Sequence, residues 1–342
     1  VAPLLGFSQN QKITLEEAVE IALRNNHGLK ASAQRIDKSE QLLGSAIDIR
    51  KTEIYYNEDQ NNLAPNNLPL NVWGISQSFQ FPTVYGAQRN VMKGKSQLAT
   101  DQYALDKRML TKAVSMAYNE IVYWQQMHKN YTYLDSLYAT FEYAANRRFE
   151  QGESNYLEKL TAETKKKEIA LKLNQSREGI EKSYIKLQQW LQSDSLFQVS
   201  AERLKRIEIT MLDTTAHPAL NYYANAQTLS DQQLKLERQK FLPDLNATVF
   251  QGTNDGPGKQ SYSGFQVGVA IPLWFGSQKS KIAAAKTEAN ILKSESDNYK
   301  IQLTSRHSAL LSDLRHLAAE LDYYDSTGKR LSEETLSHAS KA

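Results

Sequence analysis

Hydrophobic residues recur along much of this chain at alternating spacings of three and four residues. Between residues 124 and 141, the apolar positions that follow this spacing are Trp124, Met127, Tyr131, Leu134, Tyr138 and Phe141. An average spacing of 3.5 residues predicts helices that wind around one another in a coiled coil. No proline interrupts residues 83–149, so this segment is predicted to be one helix of roughly 100 Å.

Further helices are predicted by helical periodicity at residues 14–49, 155–191, 217–241 and 276–342. The first of them begins with Thr14 and Glu17, which form the sequence signature of a capping box. The segment Gln151-Gly152-Glu153-Ser154 carries a glycine followed by a serine that can cap a helix. It is therefore predicted to end one helix and to begin the next.

Segments between the helices alternate strictly between apolar and polar residues. Clear alternation covers residues 73–81, 245–250 and 264–271, and a weaker strand signal lies at residues 54–56. A period of two predicts strands with aromatic and aliphatic side chains on one face and small or polar side chains on the other. The chain is therefore predicted to hold two β-hairpins.

The chain also repeats itself at an offset of 190 residues. Phe81-Pro82-Thr-Val-Tyr-Gly86-Ala-Gln88-Arg89 recurs as Ile271-Pro272-Leu-Trp-Phe-Gly276-Ser-Gln278-Lys279, and the hydrophobic phase of the long helix recurs with it. This predicts a duplicated unit of helix, strand, strand and long helix.

The repeat also predicts the division of the chain. The predicted parts are a leader remnant or linker at 1–12, a first structural repeat at 13–192, an inter-repeat linker at 193–216 and a second structural repeat at 217–342. At the same offset, a second copy of the 151–154 break would fall at the end of the chain. The second repeat is therefore expected to lack its final helix.

Composition narrows the functional classes. Charged residues make up 23% of the chain, hydrophobic residues 40%, and the net charge is +3. This balance is typical of a folded chain and gives no reason to expect nucleic acid as a partner. Cysteine is absent, which excludes disulfides and thiolate metal sites. No apolar stretch reaches the ~18 residues of a membrane-spanning helix.

The predicted strands suit a membrane β-barrel that several chains build together. Transmembrane strands have apolar side chains toward lipid and polar ones toward the lumen, and known barrels have at least about eight strands. Two hairpins supply too few, so only association of several chains could close the sheet. A membrane-interface belt near the strand ends is predicted from the aromatic residues Trp73, Phe81, Phe250, Tyr262 and Trp274. The alternative is a soluble four-stranded tip on a helical stalk.

Four segments resemble, in order, motifs of the TolC-like outer-membrane efflux protein family. They are Leu15–Asn26, Pro82–Arg89, Arg147–Leu157 and Leu242–Leu245, and the resemblance extends from about Ile13 onward. It implies a mainly α protein with a small β part, in which long antiparallel coiled-coil helices accompany two β-hairpins per chain. It further implies a trimeric twelve-stranded β-barrel on an α-helical barrel, in the outer membrane of a Gram-negative bacterium and extending into the periplasm.

The same resemblance implies a function. The chain would be the outer-membrane channel of a tripartite efflux or type I secretion system, a passive duct for small molecules or metal ions and not an enzyme. The implied partners are its own copies in a homotrimer, outer-membrane lipid, a periplasmic adaptor protein and an inner-membrane pump, with the resistance-nodulation-division type as one candidate. The adaptor is expected to contact the turn that contains Arg148, Gly152, Glu153, Ser154 and Asn155. The alternative is a soluble or periplasmic coiled-coil structural or adaptor protein.

Two weaker signals are interpreted as structural. The long helix carries soft ligand candidates for Cu(I), namely Met92, Met109, Met116, Met127 and His128. These residues do not share one helical face, and methionine is more often core filler. The segment Gly252–Lys259 resembles a phosphate loop, but its spacing is wrong and a strand follows it. No catalytic residue, cofactor site or metal site is predicted.

Overall fold

The computed structural model describes residues 11–193, 195–206, 217–254 and 258–339. The helices are α1 (Leu15–Asn25), α2 (His27–Gln41), α3 (Pro82–Glu150), α4 (Tyr156–Leu191), α5 (Pro218–Gln239), α6 (Gly276–Tyr323) and α7 (Lys329–Ala339). The strands are β1 (Gln11–Ile13), β2 (Glu53–Leu63), β3 (Pro69–Phe79), β4 (Phe197–Val199), β5 (Asp244–Thr253) and β6 (Ser261–Ala270). Long helices with a small β part confirm the predicted fold class.

The long helix predicted at residues 83–149 is α3, a single helix of 69 residues. Pro82 occupies its first position, where a missing backbone N–H leaves no helical hydrogen bond unmade. The predicted helices at 155–191 and 217–241 correspond to α4 and α5, and their bounds differ from the prediction by at most two residues. The prediction of long helices without an interior proline is therefore confirmed.

The prediction of one continuous helix over residues 14–49 is wrong. Thr14 and Glu17 do form the predicted capping box at the start of α1. The helix then breaks at Asn26, which has an extended backbone (φ −60°, ψ 117°). The Asn26 side chain accepts a hydrogen bond from the N–H of Leu29 at 3.1 Å, so it caps the start of α2. After α2, a short 3₁₀ segment at Leu42–Ala46 ends the helical region.

The two predicted hairpins join into one antiparallel sheet in the order β2-β3-β5-β6. Strand β3 pairs with β2 along one edge and with β5 along the other, in a register that aligns Gly74 with Tyr55 and with Phe250. Strand β5 pairs in turn with β6, where Phe250 is opposite Gly264. The weak strand signal at residues 54–56 is part of β2, a strand of 11 residues.

A short parallel pair, β1 with β4, was not predicted from the sequence. It aligns Gln11 with Phe197 and Ile13 with Val199, so it joins the end of the expected leader or linker at 1–12 and the start of the first repeat to the expected inter-repeat linker. Three residues are too few to display a period of two, so hydrophobic patterning could not reveal either strand.

The described parts of Val1–Gln34 and Tyr103–Glu208 form one compact unit. Its core contains the buried residues Ile13, Ala18, Ala22, Leu29, Leu110, Val114, Ala117, Tyr118, Ile121, Val122, Leu187, Leu191 and Val199. The hydroxyl of Tyr118 is buried in this core and donates a hydrogen bond to the carbonyl of Ile13 at 3.0 Å. That bond ties α3 to β1 without leaving a buried polar group unsatisfied.

Within this unit, α3 and α4 run antiparallel and are linked by side-chain pairs. The pairs are Glu120–Lys186 (2.9 Å), His128–Ser176 (2.9 Å) and Asp135–Lys166 (2.5 Å). Each pair joins a residue progressively later in α3 to one progressively earlier in α4. Partly exposed ion pairs add little stability, so their main effect here is to favour one register of the coiled coil.

The described parts of Arg35–Gln102 and Ile209–Ala342 form the second unit. It contains the four-stranded sheet, the start of α3, and the helices α5 and α6. Its buried core consists of Val84, Ala87, Val91, Leu229 and Leu236. Helix α6 is interrupted by a π-helical turn at Tyr324–Gly328 before α7 begins. These units are defined by contacts, whereas the division at 13–192 and 217–342 follows the repeat in sequence and stays a prediction.

Candidate functional site

One face of the sheet is apolar and almost entirely exposed. Its exposed side chains, with 46% to 79% of their surface accessible, are Ile54, Tyr56, Trp73, Ile75, Val249, Phe265, Val267 and Val269. The strand register places them in cross-strand rows on the same side, for example Ile54, Ile75, Val249 and Phe265. We call this side the apolar face. An apolar surface of this extent marks a contact with lipid or with another protein.

The opposite side, which we call the polar face, carries mostly small and hydrogen-bonding residues. One of its rows across the four strands is Glu53, Ser76, Thr248 and Gln266. Within that row, Thr248 donates a hydrogen bond to Ser76 at 3.0 Å. A sheet with one apolar and one polar face is the pattern of a membrane barrel strand, with lipid on one side and water on the other.

The structure does not place the five predicted interface aromatics on one side of the sheet. Trp73 lies on the apolar face, where its ring is 4.8 Å from that of Tyr56. Phe250 and Tyr262 belong to rows of the polar face, opposite Gly264 and Gly252. A contact between membrane lipid and Trp73 stays a prediction.

The other two predicted aromatics lie just beyond the strands. Phe81 follows β3 and is partly buried against the core of the second unit. Trp274 follows β6 and is 92% exposed, while its neighbour Phe275 stacks on Phe241 at 5.9 Å. A tryptophan left uncovered beside a sheet with one apolar face has the amphipathic character that suits a bilayer interface.

The turn between α3 and α4 has a defined C-cap geometry. Gly152 has a φ of +76°, its N–H donates to the carbonyl of Phe149, and the N–H of Glu153 donates to the carbonyl of Arg148. Both bonds together form a Schellman motif, which needs a left-handed residue after the last helical turn. Glycine provides that conformation without steric cost.

Side chains then fix the start of α4. Asn155 is its N-cap and accepts a hydrogen bond from the N–H of Glu158 at 2.9 Å. The Glu158 carboxylate receives bonds from Ser154 at 2.5 Å and from Arg148 at 3.1 Å. Glu158, which sequence reasoning missed, thus connects three of the five predicted turn residues, namely Arg148, Ser154 and Asn155. Glu153 is exposed on the outside of the turn.

Exposed apolar side chains accompany this turn. Tyr156 and Leu157 are 62% and 69% exposed. The ring of Phe149 is 5.9 Å from that of Tyr156 and lies 5.3 Å from the ammonium of Lys159. A rigid turn that displays apolar and charged groups side by side is suited to protein contact.

A second connection that sequence reasoning missed joins α5 to α6. Gln278 donates hydrogen bonds to the backbone carbonyl and the carboxylate of Glu237, at 2.7 and 2.9 Å. Lys240 also donates to this carboxylate at 2.6 Å. Burial raises the pKa of Glu237, but the hydrogen bonds and the nearby lysine charges lower it by more. The net pKa lies below the ordinary value of 4.5.

The soft-ligand candidates on α3 do not come together. Met109 and Met116 are 69% and 63% exposed, and Nδ1 of His128 lies 2.9 Å from the hydroxyl of Ser176. Among the described residues, no group of three or more His, Cys, Asp or Glu side chains is placed to hold a metal ion. Likewise, no helix in the described ranges is long and apolar enough to cross a bilayer.

The glycine-rich segment Gly252–Lys259 connects β5 to β6, and its residues 255–257 lie outside the described residues. Asn254 is completely buried and donates to Asn66 at 2.8 Å. Asn66 in turn donates to the carbonyl of Gly258 at 3.3 Å. These bonds tie the loop of one hairpin to the loop of the other.

Comparison of the sequence with protein-family models finds no match, and neither does comparison with curated proteins. Comparison with solved structures finds several outer-membrane channels. The Campylobacter jejuni CmeC outer membrane channel is 17% identical with a TM-score of 0.66, and the match covers 96% of this chain and 77% of CmeC. The outer membrane protein VceC of Vibrio cholerae is 12% identical with a TM-score of 0.70, over 93% of this chain and 83% of VceC.

The open state of the Neisseria gonorrhoeae MtrE outer membrane channel is similar to the same degree. It is 14% identical with a TM-score of 0.69, and the match covers 95% of this chain and 78% of MtrE. The chain therefore has the fold of these outer-membrane channels, which confirms the long helices and small β part that the resemblance to the TolC-like family implied.

Proposed function

We propose that this chain is the outer-membrane channel of a tripartite efflux or type I secretion system and conducts its cargo passively. The observation that carries the proposal is the two-sided sheet, whose exposed apolar face and hydrogen-bonding polar face are supported on a fold shared with outer-membrane channels. Strands β3 and β6 lead within a few residues into the long helices α3 and α6. A lipid-facing sheet and long helices are the parts that a periplasm-spanning duct requires.

The sheet needs further copies of the chain before it can enter a bilayer. Within the described residues, β2 and β6 are edge strands with a partner on one side only. Backbone groups exposed to lipid must be paired, so a sheet in a membrane has to close. Four strands are fewer than the about eight of the smallest barrels. Three copies would give twelve strands, and a homotrimer is therefore part of the proposal.

The turn around Gly152 is proposed to contact a periplasmic adaptor protein. Its Schellman geometry and its Arg148–Glu158–Ser154 contacts hold the backbone in one conformation. A preorganised surface loses little conformational entropy on binding. The exposed Tyr156 and Leu157 supply apolar area beside it. The energy for transport would be supplied by an inner-membrane pump, and the cargo would be small molecules or metal ions.

The test is reconstitution of the full-length mature protein. Its mass in detergent, measured by light scattering, is expected to be that of a trimer, and in a planar bilayer it is expected to give long-lived conductance steps. A monomer that gives no steps, while circular dichroism reports intact helices, would contradict the proposal. That result would favour a coiled-coil scaffold outside the membrane.

A further inference from the structure

Aromatic rings and glycines alternate along one row of the polar face. From β2 to β6 the row consists of Tyr55, Gly74, Phe250 and Gly264. On a face of mostly small and hydrogen-bonding residues, this row presents two large rings, on β2 and on β5. Both rings lie on the side opposite the apolar face, so neither contributes to that surface.

Both rings lie directly over the neighbouring glycines. A Cβ at Gly74 would be 2.2 Å from Cζ of Tyr55, and a Cβ at Gly264 would be 2.5 Å from Cζ of Phe250. A side chain at either position would clash with the ring, so each ring can lie over the sheet here only because its neighbour is glycine. The rings cover the glycine backbone, as aromatic residues do where they compensate for glycine in a sheet. The positions of the two rings are therefore set by their packing on the sheet itself.

All charged residues on the four strands of this sheet are acidic. The charged residues of β2, β3, β5 and β6 are Glu53, Glu58, Asp59 and Asp244, and no lysine or arginine occurs in them. The register places Glu53 on the polar face in the row next to Tyr55, and Asp59 two rows away on its other side. Asp244 is paired with Arg50 at 2.9 Å. Glu58 falls on the apolar face by the same register, so the polar face carries Glu53 and Asp59 besides the paired Asp244, and these carboxylates attract cations and repel anions.

We propose that this aromatic–glycine row, with the carboxylates of Glu53 and Asp59, is a transit site for aromatic or quaternary ammonium cations. A cation is attracted to the electron-rich face of Tyr or Phe, and an aromatic cargo can stack on the same rings. The carboxylates attract a cationic cargo, whereas they do not attract a neutral cargo and they repel an anionic one. The proposal rests on the proposed function, because it requires the polar face to line the lumen of a channel.

Closure of the sheet by three copies would multiply the site. Within each chain the row begins with Tyr55 on β2 and ends with Gly264 on β6, the two edge strands that neighbouring copies would join. Because barrel strands are tilted and three-fold symmetry repeats each position at one height, three chains would place three Tyr55 rings at one level of the lumen and three Phe250 rings at another. A cation passing either level would meet rings from three sides, so its residence there should obstruct the current of small ions.

The test is block of single-channel current in the full-length trimer by benzyltrimethylammonium, with benzenesulfonate as the aromatic anion of similar size. Block by the cation and not by the anion is expected. The variants Tyr55→Leu and Phe250→Leu keep apolar bulk but remove the ring, and each should weaken block about 5- to 30-fold. Glu53→Gln should weaken it as well. The matched control is Phe265→Leu, which removes a ring from the apolar face and should leave block unchanged.

Failure of the proposed channel function and failure of the transit site would give different results. If the wild-type trimer gives no conductance, the proposed channel function is wrong. If it conducts, but the leucine variants are blocked as strongly as the wild type, or the anion blocks equally well, the transit site is wrong while the channel stands. The leucine variants must retain trimer mass and unitary conductance steps, so a misfolded variant cannot be mistaken for a loss of the site.

Discussion

The indole ring of Trp124 on α3 lies against the backbone of Gly179 on α4, so closely that a Cβ at Gly179 would be 2.4 Å from Cδ2 of the ring. The glycine therefore allows the two helices to approach each other at the point where the tryptophan is placed. In a coiled coil, side chains of one helix occupy spaces on the facing helix. Here the space for a large ring is made by the absence of a side chain.

Gly179→Ala is expected to destabilise the α3–α4 pair. Alanine is the better helix former by about 1 kcal/mol, but displacing a packed ring costs about 1–3 kcal/mol, so the net effect should be a loss of stability. Thermal unfolding followed by circular dichroism measures it. Gly86→Ala is the control, because no atom within 4 Å would meet its Cβ, and it should be neutral or stabilising. Equal effects of the two variants would contradict the packing argument.

Glu237 should make stability depend on pH. Its pKa in the folded protein lies below the ordinary 4.5, so the unfolded chain takes up the proton first as the pH falls. The stabilising contribution is therefore present above pH 4.5 and is lost as the pH falls through the lower, folded-state pKa. The wild type should unfold at a higher temperature than Glu237→Gln at neutral pH, and this difference should shrink below pH 4.5. A difference that stays constant with pH would exclude the carboxylate as its cause.

Hydrophobic patterning predicted the long helices and clear strands because each covers many periods. It could not predict the aromatic–glycine row, because the sequence of one strand does not determine which residues of the neighbouring strand lie opposite it. Gly74 and Gly264 keep the repeat offset of 190 residues, but their partners Tyr55 and Phe250 are 195 residues apart. The first hairpin is thus five residues longer, so the repeat could not help to identify β2, the strand with the weakest pattern.

The break at Asn26 shows another limit of the same reasoning. The apolar positions Ala22 and Leu29 are both buried and keep a helical spacing across the break, so periodicity continues where the helix does not. The helix breaks because the Asn26 side chain, and not a backbone carbonyl, accepts the hydrogen bond from the N–H of Leu29. Asparagine is a good cap, but it is also common elsewhere, and its identity alone does not predict a break.

Two substitutions at Gly152 test whether the left-handed backbone conformation is the reason for glycine in this turn. With a φ of +76°, Gly152→Ala should destabilise the protein by about 1–2 kcal/mol because the left-handed conformation crowds its Cβ. Gly152→Asn should cost less, since asparagine tolerates that conformation. Unfolding in denaturant measures both. If alanine were tolerated as well as asparagine, the Schellman geometry would not be the reason for glycine here.

The adaptor contact proposed for this turn has its own test. Glu153 is exposed beyond the helix end, so Glu153→Arg should leave the unfolding temperature unchanged. If the turn meets an adaptor, reversing this charge should weaken co-purification of the adaptor with the trimer. Glu178→Arg is a control at an exposed position of α4 away from the turn. Equal losses for both variants would indicate a general charge effect and not a contact at the turn.

Two adjacent residues of β6 test which face of the sheet meets lipid. Val267 lies on the apolar face and is 71% exposed, whereas Gln266 lies on the polar face beside Thr248. A lysine on the lipid face of a barrel costs about 2–4 kcal/mol at the bilayer midplane, so Val267→Lys should reduce insertion into lipid vesicles sharply. Gln266→Lys introduces the same side chain one residue away and should insert as the wild type does. Insertion is measured as the protease-protected fraction of trimer. If both lysine variants inserted equally well, the apolar face would not be the one that faces lipid, because only contact with hydrocarbon distinguishes the two positions.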